Sequence, residues 1–431
     1  MKIKTKKMPY ERVMALPAMS HKRPRKPSFL FHSLMRLLSW PDLRATHFTY
    51  TKIGMEKLGK REPCLYLMNH SSFIDLKIAS HILYPQTYNI VCTSDGLVGK
   101  AWLMRKLGCI PTKKFVPEVE LVRDMLYALK TLKKPVLMYP EAGYSLDGTA
   151  TTLPESLGRC LKMLGVPVVM IRTHGAFARD PLYNNLQLRR VPVSAEVEYI
   201  LSPEDIKEKT AAELNEIIQE QFSFDNFKWQ HEQHIAIHEH FRADHLNRVL
   251  YKCPHCQAEG KMVGKDKFLT CTACGKQYKL RSEGEMIALE GETEFPHIPD
   301  WFRWQRECVK RELEEGTYHL DVPVKIGVLV DTKAMYMVGE GRLVHSMEGF
   351  HLTGCDGKLD YVQKPLSSYT LNADYYFYEI GDMISIGNQS ILFFCFTEEG
   401  TDVVTKTRLA TEELYKIVRA KVRHGKPAER H

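Results

Sequence analysis

The stretch Cys64-Leu65-Tyr66-Leu67-Met68-Asn69-His70-Ser71-Ser72-Phe73-Ile74-Asp75 decides how the rest of the chain is read. Its first five residues form an unbroken apolar run, the pattern of a parallel strand buried on both faces. From Phe73 to Leu83 the apolar residues recur at helical spacing, and the run stops before Pro85. His70 therefore falls where a strand runs out and a helix begins, the usual address of a reactive group in an α/β sheet. Ser71 or Ser72 can cap that helix and leave backbone N–H groups open nearby. His70 and Asp75 are five residues apart across the turn, close enough for the carboxylate to hold one ring nitrogen as a donor. The other nitrogen is then left to take a proton. A plainer reading of the same residues has a capping serine, a hydrogen-bonded histidine and a solvated aspartate, and this stretch alone leaves both open.

Working outward, strand-like runs at His47–Ile53, Tyr88–Cys92, Pro135–Tyr139, Pro167–Ile171 and Ser194–Ile200 alternate with helix-like runs. The latter are Val98–Leu107, Val119–Leu132, Pro154–Leu164 and Pro203–Phe222. This alternation over 45–222 predicts an α/β domain with a mostly parallel sheet and flanking helices. The full chain has 431 residues, enough for more than one domain, and 44% hydrophobic content, enough for sizeable cores. A formal charge of +8 suits an anionic partner. Eleven cysteines, four of them at metal-ligand spacing, favour a reducing cytosol over a disulfide framework.

Three loops in the α/β region carry polar residues: Gly108-Cys109-Ile110-Pro111-Thr112-Lys113-Lys114, Tyr139-Pro140-Glu141-Ala142-Gly143-Tyr144-Ser145, and Gly165-Val166-Pro167-Val168-Val169-Met170. Each alone is an ordinary turn. In order, Asn-His-x-Ser-x-x-Asp, Gly-x-Ile, Pro-Glu and Gly-x-Pro-Val resemble the glycerophospholipid (PlsC-type) acyltransferase family, over roughly residues 45 to 220. The resemblance implies that His70 and Asp75 form the catalytic pair. It implies that Asn69, Ser72, Lys113, Lys114, Glu141, Ala142, Gly143, Tyr144 and Ser145 bind substrate, and that Gly165–Met170 is structural. No cofactor is implied for catalysis. His70 would take a hydroxyl proton as the acceptor attacks an acyl thioester, carried by CoA or an acyl-carrier protein. Nearby N–H groups at the helix start would steady the oxyanion. The acceptor would resemble a lysophospholipid.

The third motif departs from the family's usual Phe-Pro-Glu-Gly-Thr-Arg-Ser. Tyr139, Ala142, Gly143 and Tyr144 stand where the family has Phe, Gly, Thr and Arg. A guanidinium grips phosphate through two parallel hydrogen bonds and a phenol cannot, so a changed acceptor headgroup is expected. Lys113 or Arg172 are candidates to replace the missing charge.

Flanking segments read separately. Residues 1–44 combine a basic arm with an amphipathic helix around Phe29–Trp40, expected to rest on anionic lipid as an interfacial element or to dock on its own domain. Residues 223–248 read as a His-rich helical linker, with His234 and His238 one helical turn apart; a polar helix is favoured over a metal site. Residues 249–285 hold Cys253, Cys256, Cys271 and Cys274 in two Cys-x-x-Cys knuckles, which fits a zinc ribbon with a closed, structural Zn site. Residues 300–431 show a helix at Trp301–Leu313, then closely spaced strand-like runs with Gly-rich turns, the pattern of a mainly-β accessory domain. Expected placement is cytoplasmic and peripheral to the membrane. The competing expectation is a degenerate acyltransferase fold serving as a zinc-ribbon adaptor for lipid, nucleic acid or protein, with nucleic acid the less favoured partner.

Overall fold

A computed structural model of the chain describes residues 2–17, 19–114 and 119–424. The apolar run ending at Met68 becomes the strand Leu65–Met68, with every residue buried. It lies at the centre of a seven-stranded sheet ordered Thr49–Ile53, Ser194–Leu201, Val168–His174, Leu65–Met68, Val136–Met138, Asn89–Thr93 and Cys109–Thr112. All neighbours are parallel except Val168–His174 against Ser194–Leu201. Alternation along the central strand sorts its side chains. Leu65 and Leu67 face helices through Met125, Leu161 and Leu214. Tyr66 and Met68 face Ile74, Ile78 and Ile82 of the helix that follows His70. The α/β reading of 45–222 thus matches the architecture, with two local differences. Cys109–Thr112 is an edge strand rather than a loop, and Pro111 fits there because an edge has one ladder unfilled. The helical run after Pro203 is two helices, Pro203–Glu208 and Ala211–Gln221, because Thr210 and Glu213 form a capping box that restarts the helix.

The N-terminal helix Phe29–Ala45 lies along Asp75–Leu83. It buries His32, Ser39 and Leu43, with His32 Nε2 hydrogen-bonded to the Leu107 carbonyl at 3.0 Å. Its outer face leaves Leu30, Leu37, Leu38 and Trp40 exposed, next to exposed Trp102.

The His-rich stretch is not one helix. The helix Asn226–Glu232 ends there, and His234 adopts a left-handed backbone, so His234 and His238 do not share a helical face. The ribbon is a four-stranded antiparallel sheet ordered Met286–Ala288, Gln277–Leu280, Phe268–Cys271 and Met262–Lys265. Beyond it, the helix Ile298–Glu314 packs on Val403–His424. An antiparallel sheet runs in the order Leu359–Gln363, Gly349–Gly354, Met335–Ser346, Leu320–Leu329, Leu392–Thr397, Gly381–Gly387 and Asn372–Phe377. Thr5–Lys7 joins it, pairing in parallel with Met335–Met337. The Gly-Glu-Gly expected to turn between two strands lies inside the single strand Met335–Ser346. Glycine is required there by approach, since a Cβ on Gly341 would sit 2.3 Å from the Thr353 carbonyl oxygen of the next strand. One continuous apolar core joins Phe177 and Tyr183 of the α/β domain to Tyr278 of the ribbon, to Trp301 of the helix Ile298–Glu314 and to Phe393 of the accessory sheet. Residues 425–431 of the accessory region lie outside the described residues.

Candidate functional site

The turn after Met68 is pinned by Asn69. Its Oδ1 accepts from the Thr173 N–H at 2.8 Å and its Nδ2 donates to the Thr173 carbonyl at 3.2 Å, tying the strand end to its neighbour. Five residues beyond His70, Asp75 is fully buried. Its Oδ2 lies 3.0 Å from His70 Nδ1 and also accepts the N–H groups of Ser71, at 2.8 Å, and Ser72, at 3.0 Å. An ionised carboxylate only accepts, so Nδ1 carries the hydrogen and Nε2 is the basic nitrogen. No serine caps the helix Asp75–Leu83. Two of the N–H groups at its entrance, those of Ser71 and Ser72, are bonded to Asp75 and so closed to an oxyanion. Ser72 Oγ instead bonds to Asp180, whose carboxyl is pushed up to about 6 by burial, with Arg179 at 3.2 Å pulling against it.

Tyr139 and Tyr144 of the third motif both stack on the imidazole, ring centres 4.3 and 4.1 Å away at 30° and 32°. Phe73 lies 5.5 Å beyond Tyr144. Glu141 turns inward: Oε2 accepts the His70 N–H at 2.8 Å, while Oε1 accepts the Thr151 N–H at 2.9 Å and its hydroxyl at 3.1 Å. Burial pushes the Glu141 carboxyl up, and these hydrogen bonds pull it back. Ser145 donates its N–H to the His70 carbonyl at 3.3 Å and its hydroxyl to the Thr149 carbonyl at 2.6 Å. Ala142 holds a left-handed φ of 51°, and Gly143 is buried beside it. Glu141 and Ser145 thus act on the backbone of the histidine turn, and the tyrosines act on its ring.

The lysines point elsewhere. Lys114 Nζ is 3.4 Å from Asp374, and Lys113 Nζ bonds to the Gln389 carbonyl, both on the accessory sheet. Arg172 bonds Glu196 at 2.8 Å and Gln221 at 2.6 Å. The charge that bears on Tyr144 is negative instead. Burial raises its hydroxyl well above the ordinary range, and Asp75, Asp374, Asp180 and Asp95 push it further. Tyr378 donates to Asp95 at 2.9 Å. Sequence reasoning missed Asp95, Asp180, Asp374 and Tyr378. Tyr378 sits in an aromatic run that reads as core, and no spacing rule links any of these residues to His70.

Next to the third-motif loop is a cavity of about 410 Å³ lined by Thr149, Thr151, Phe302, Arg303, Arg306 and Arg408. Arg408 also donates to the Tyr144 carbonyl at 3.4 Å.

The four ribbon cysteines bring their sulfurs within 4.8 Å of one another. Cys253 and Cys274 are 3.9 Å apart, and Cys256 and Cys271 are 3.7 Å apart. A tetrahedral ion about 2.3 Å from each thiolate places the sulfurs roughly 3.8 Å apart, so the set fits Zn(II) with no open position.

Residues 50–173 match the family model described as Acyltransferase, so the chain carries an acyltransferase domain. A curated relative, a chloroplastic 1-acyl-sn-glycerol-3-phosphate acyltransferase from Brassica napus, is 29% identical over 151 residues. That match covers 34% of this chain and 43% of the relative, so it spans less than half the relative's length. Among solved structures, the 1-acyl-sn-glycerophosphate acyltransferase PlsC from Thermotoga maritima is similar with a TM-score of 0.36 and 17% identity. It covers 44% of this chain and 76% of that one.

Proposed function

We propose that the protein transfers a fatty acyl group from a thioester, on CoA or an acyl-carrier protein, to the hydroxyl of a lysophospholipid-like acceptor. The observation that carries this is the buried Asp75 carboxylate holding His70 Nδ1 at 3.0 Å. In the step, the acceptor oxygen bonds to the acyl carbon, the carbon–sulfur bond breaks, and the hydroxyl proton passes to His70 Nε2 and on to the leaving thiolate. Asp75 keeps the tautomer and steadies the imidazolium that forms. The stacked tyrosines fix the ring plane, and their π faces favour a cation.

The reaction takes place at a membrane surface. The exposed apolar face of Phe29–Ala45 and Trp102 meets lipid, and the basic N-terminal residues meet anionic headgroups. No helix among the described residues is long and apolar enough to cross a membrane. Zn(II) in the Cys253, Cys256, Cys271 and Cys274 set holds the ribbon together and takes no part in the chemistry.

The test is His70→Ala in purified protein given acyl-CoA and a mixed lysolipid acceptor. Thiol release and lipid product should fall by roughly two to four powers of ten, with an unchanged melting temperature and unchanged vesicle binding. Turnover within threefold of wild type sinks the assignment. Equal inactivity of both proteins favours the adaptor reading.

A further inference from the structure

The cavity of about 410 Å³ lies where the chain just beyond the third motif meets two long helices of the accessory region, Ile298–Glu314 and Val403–His424. Its volume is that of a small-molecule site, and the transfer step at His70 does not use it. Phe302 and Leu409 give it an apolar side. Arg303, Arg306 and Arg408 also line it, against two carboxylates, Asp147 and Glu412.

The guanidiniums are held in place with donor capacity left over. Glu412 takes Arg306 Nη1 at 2.7 Å and Arg408 Nε at 3.3 Å, so one carboxylate sets both heads side by side. Arg306 bonds through Nη1 alone, which also reaches Glu413 at 2.9 Å. Its Nε and Nη2 have no partner among the described residues. Arg408 donates from Nη1 to the Tyr144 carbonyl at 3.4 Å, and its Nη2 is likewise unpartnered. A guanidinium only donates, so these edges call for an acceptor. The other negative groups nearby are engaged elsewhere. Asp147 accepts the Thr149 N–H at 3.1 Å and its hydroxyl at 2.8 Å, and Glu413 holds Lys416 at 2.7 Å. Arg303 is 70% exposed, at the cavity's mouth, and its partner Asp300 is 46% exposed.

Two adjacent guanidiniums suit an anion with several oxygens on one atom. A phosphate monoester has three terminal oxygens and a charge of about −1.5 to −2. The apolar side accommodates an organic body attached to it. Two routes tie the cavity to the histidine. Thr151 lines it and donates its N–H to Glu141 Oε1 at 2.9 Å, while Glu141 Oε2 holds the His70 N–H at 2.8 Å. Arg408 holds the Tyr144 carbonyl, and the Tyr144 ring lies 4.1 Å from the imidazole.

We propose that this cavity binds an organic phosphate monoester, its phosphate on Arg306 and Arg408 and its organic part against Phe302 and Leu409, and that occupancy steadies the loop supporting His70. The accessory helices are then half of a ligand site. On the acyl-transfer reading, the phosphate is carried by the nucleotide end of acyl-CoA or by the acceptor's headgroup; the binding claim itself needs no turnover.

The test is equilibrium binding to the full chain of adenosine 3′,5′-bisphosphate against adenosine, and of glycerol 3-phosphate against glycerol. At least one phosphorylated probe should bind roughly tenfold or more tighter than its parent, and should slow amide exchange over 141–151. Arg306→Lys and Arg408→Lys keep a cation beside Glu412 but lose the forked donor edge, so each should weaken that probe roughly tenfold. Arg303→Ala, at the exposed mouth, should weaken it less and leaves the fold intact. Equal binding of phosphorylated and plain probes overturns the proposal. So does phosphate binding that no substitution weakens among the variants that keep the wild-type melting temperature. Competition then identifies the source. Displacement by acyl-CoA upholds the site as the donor's, displacement by a phosphate-headed lysolipid upholds it as the acceptor's, and displacement by neither upholds it for a separate phosphorylated effector. Arginine-dependent binding in a protein that acylates nothing upholds the site while the acyl-transfer reading fails.

Discussion

The cysteine set and the histidine site are both built on turns at strand ends, yet they are assembled in opposite ways. Each Cys-x-x-Cys knuckle delivers two sulfurs within four residues, and a short sheet brings the knuckles together. The histidine site has one local pair, His70 with Asp75. Much of what else shapes it arrives from far along the chain: Glu141 and Tyr144 from the third motif, and Asp180 after a short helix. A closed metal-type centre can carry its instructions in its own spacing. A site that must discriminate between substrates takes its walls from wherever the fold supplies them.

The sharpest way to break this comparison is to remove the local centre. Structural zinc in small zinc peptides is worth on the order of 10 kcal/mol. Cys253 and Cys271 are buried in the core that also holds Tyr278 and Trp301. Chelation, or Cys271→Ser, should unfold the ribbon, release one equivalent of metal and lower the melting temperature of the whole protein. A metal-stripped chain with unchanged amide exchange over 262–288 would show that the sheet holds without the ion.

Next in size is Glu141→Gln, which strikes a remote support. The amide cannot accept at both ends, so either the His70 N–H or the Thr151 pair loses its partner, at roughly 1–3 kcal/mol. Turnover should fall with little change in KM, because the residue holds the histidine turn and not the substrate. A rise in KM at constant kcat would instead make Glu141 a substrate ligand.

The smallest effect is expected at Ala142. With φ at 51° it occupies a region that costs an ordinary residue about 1 kcal/mol and glycine almost nothing. Ala142→Gly should raise the melting temperature slightly and leave turnover close to wild type. A lower melting temperature would mean that the alanine methyl makes contacts worth more than the strain.

Legibility in the sequence follows the same division. The central strand, the helix after it and most of the alternation over 45–222 could be read because buried parallel strands are continuous apolar runs and their helices are amphipathic. Cys109–Thr112 was hidden by Pro111, which reads as a turn until the strand is known to be an edge. The Gly-rich stretch inside Met335–Ser346 reads as a turn because glycine has two uses: Gly341 serves close approach between strands and Gly339 takes a φ of 145°, and sequence shows only that a side chain is missing. The helix break at Lys209 was written in the capping box Thr210-x-x-Glu213 and was outweighed by the apolar pattern. The bond of Lys114 to Asp374 left no trace in spacing, since it forms only through the packing of two domains.

The pairing of Thr5 with Met335 and Lys7 with Met337 sets an order of events during synthesis. Thr5–Lys7 is translated long before its partner strand Met335–Ser346 and must remain unpaired on the ribosome until the accessory sheet has been made, so its β-type hydrogen bonds go unmade until then. Closure of this strand is therefore a late step, and it draws residues 5–7 onto the accessory sheet.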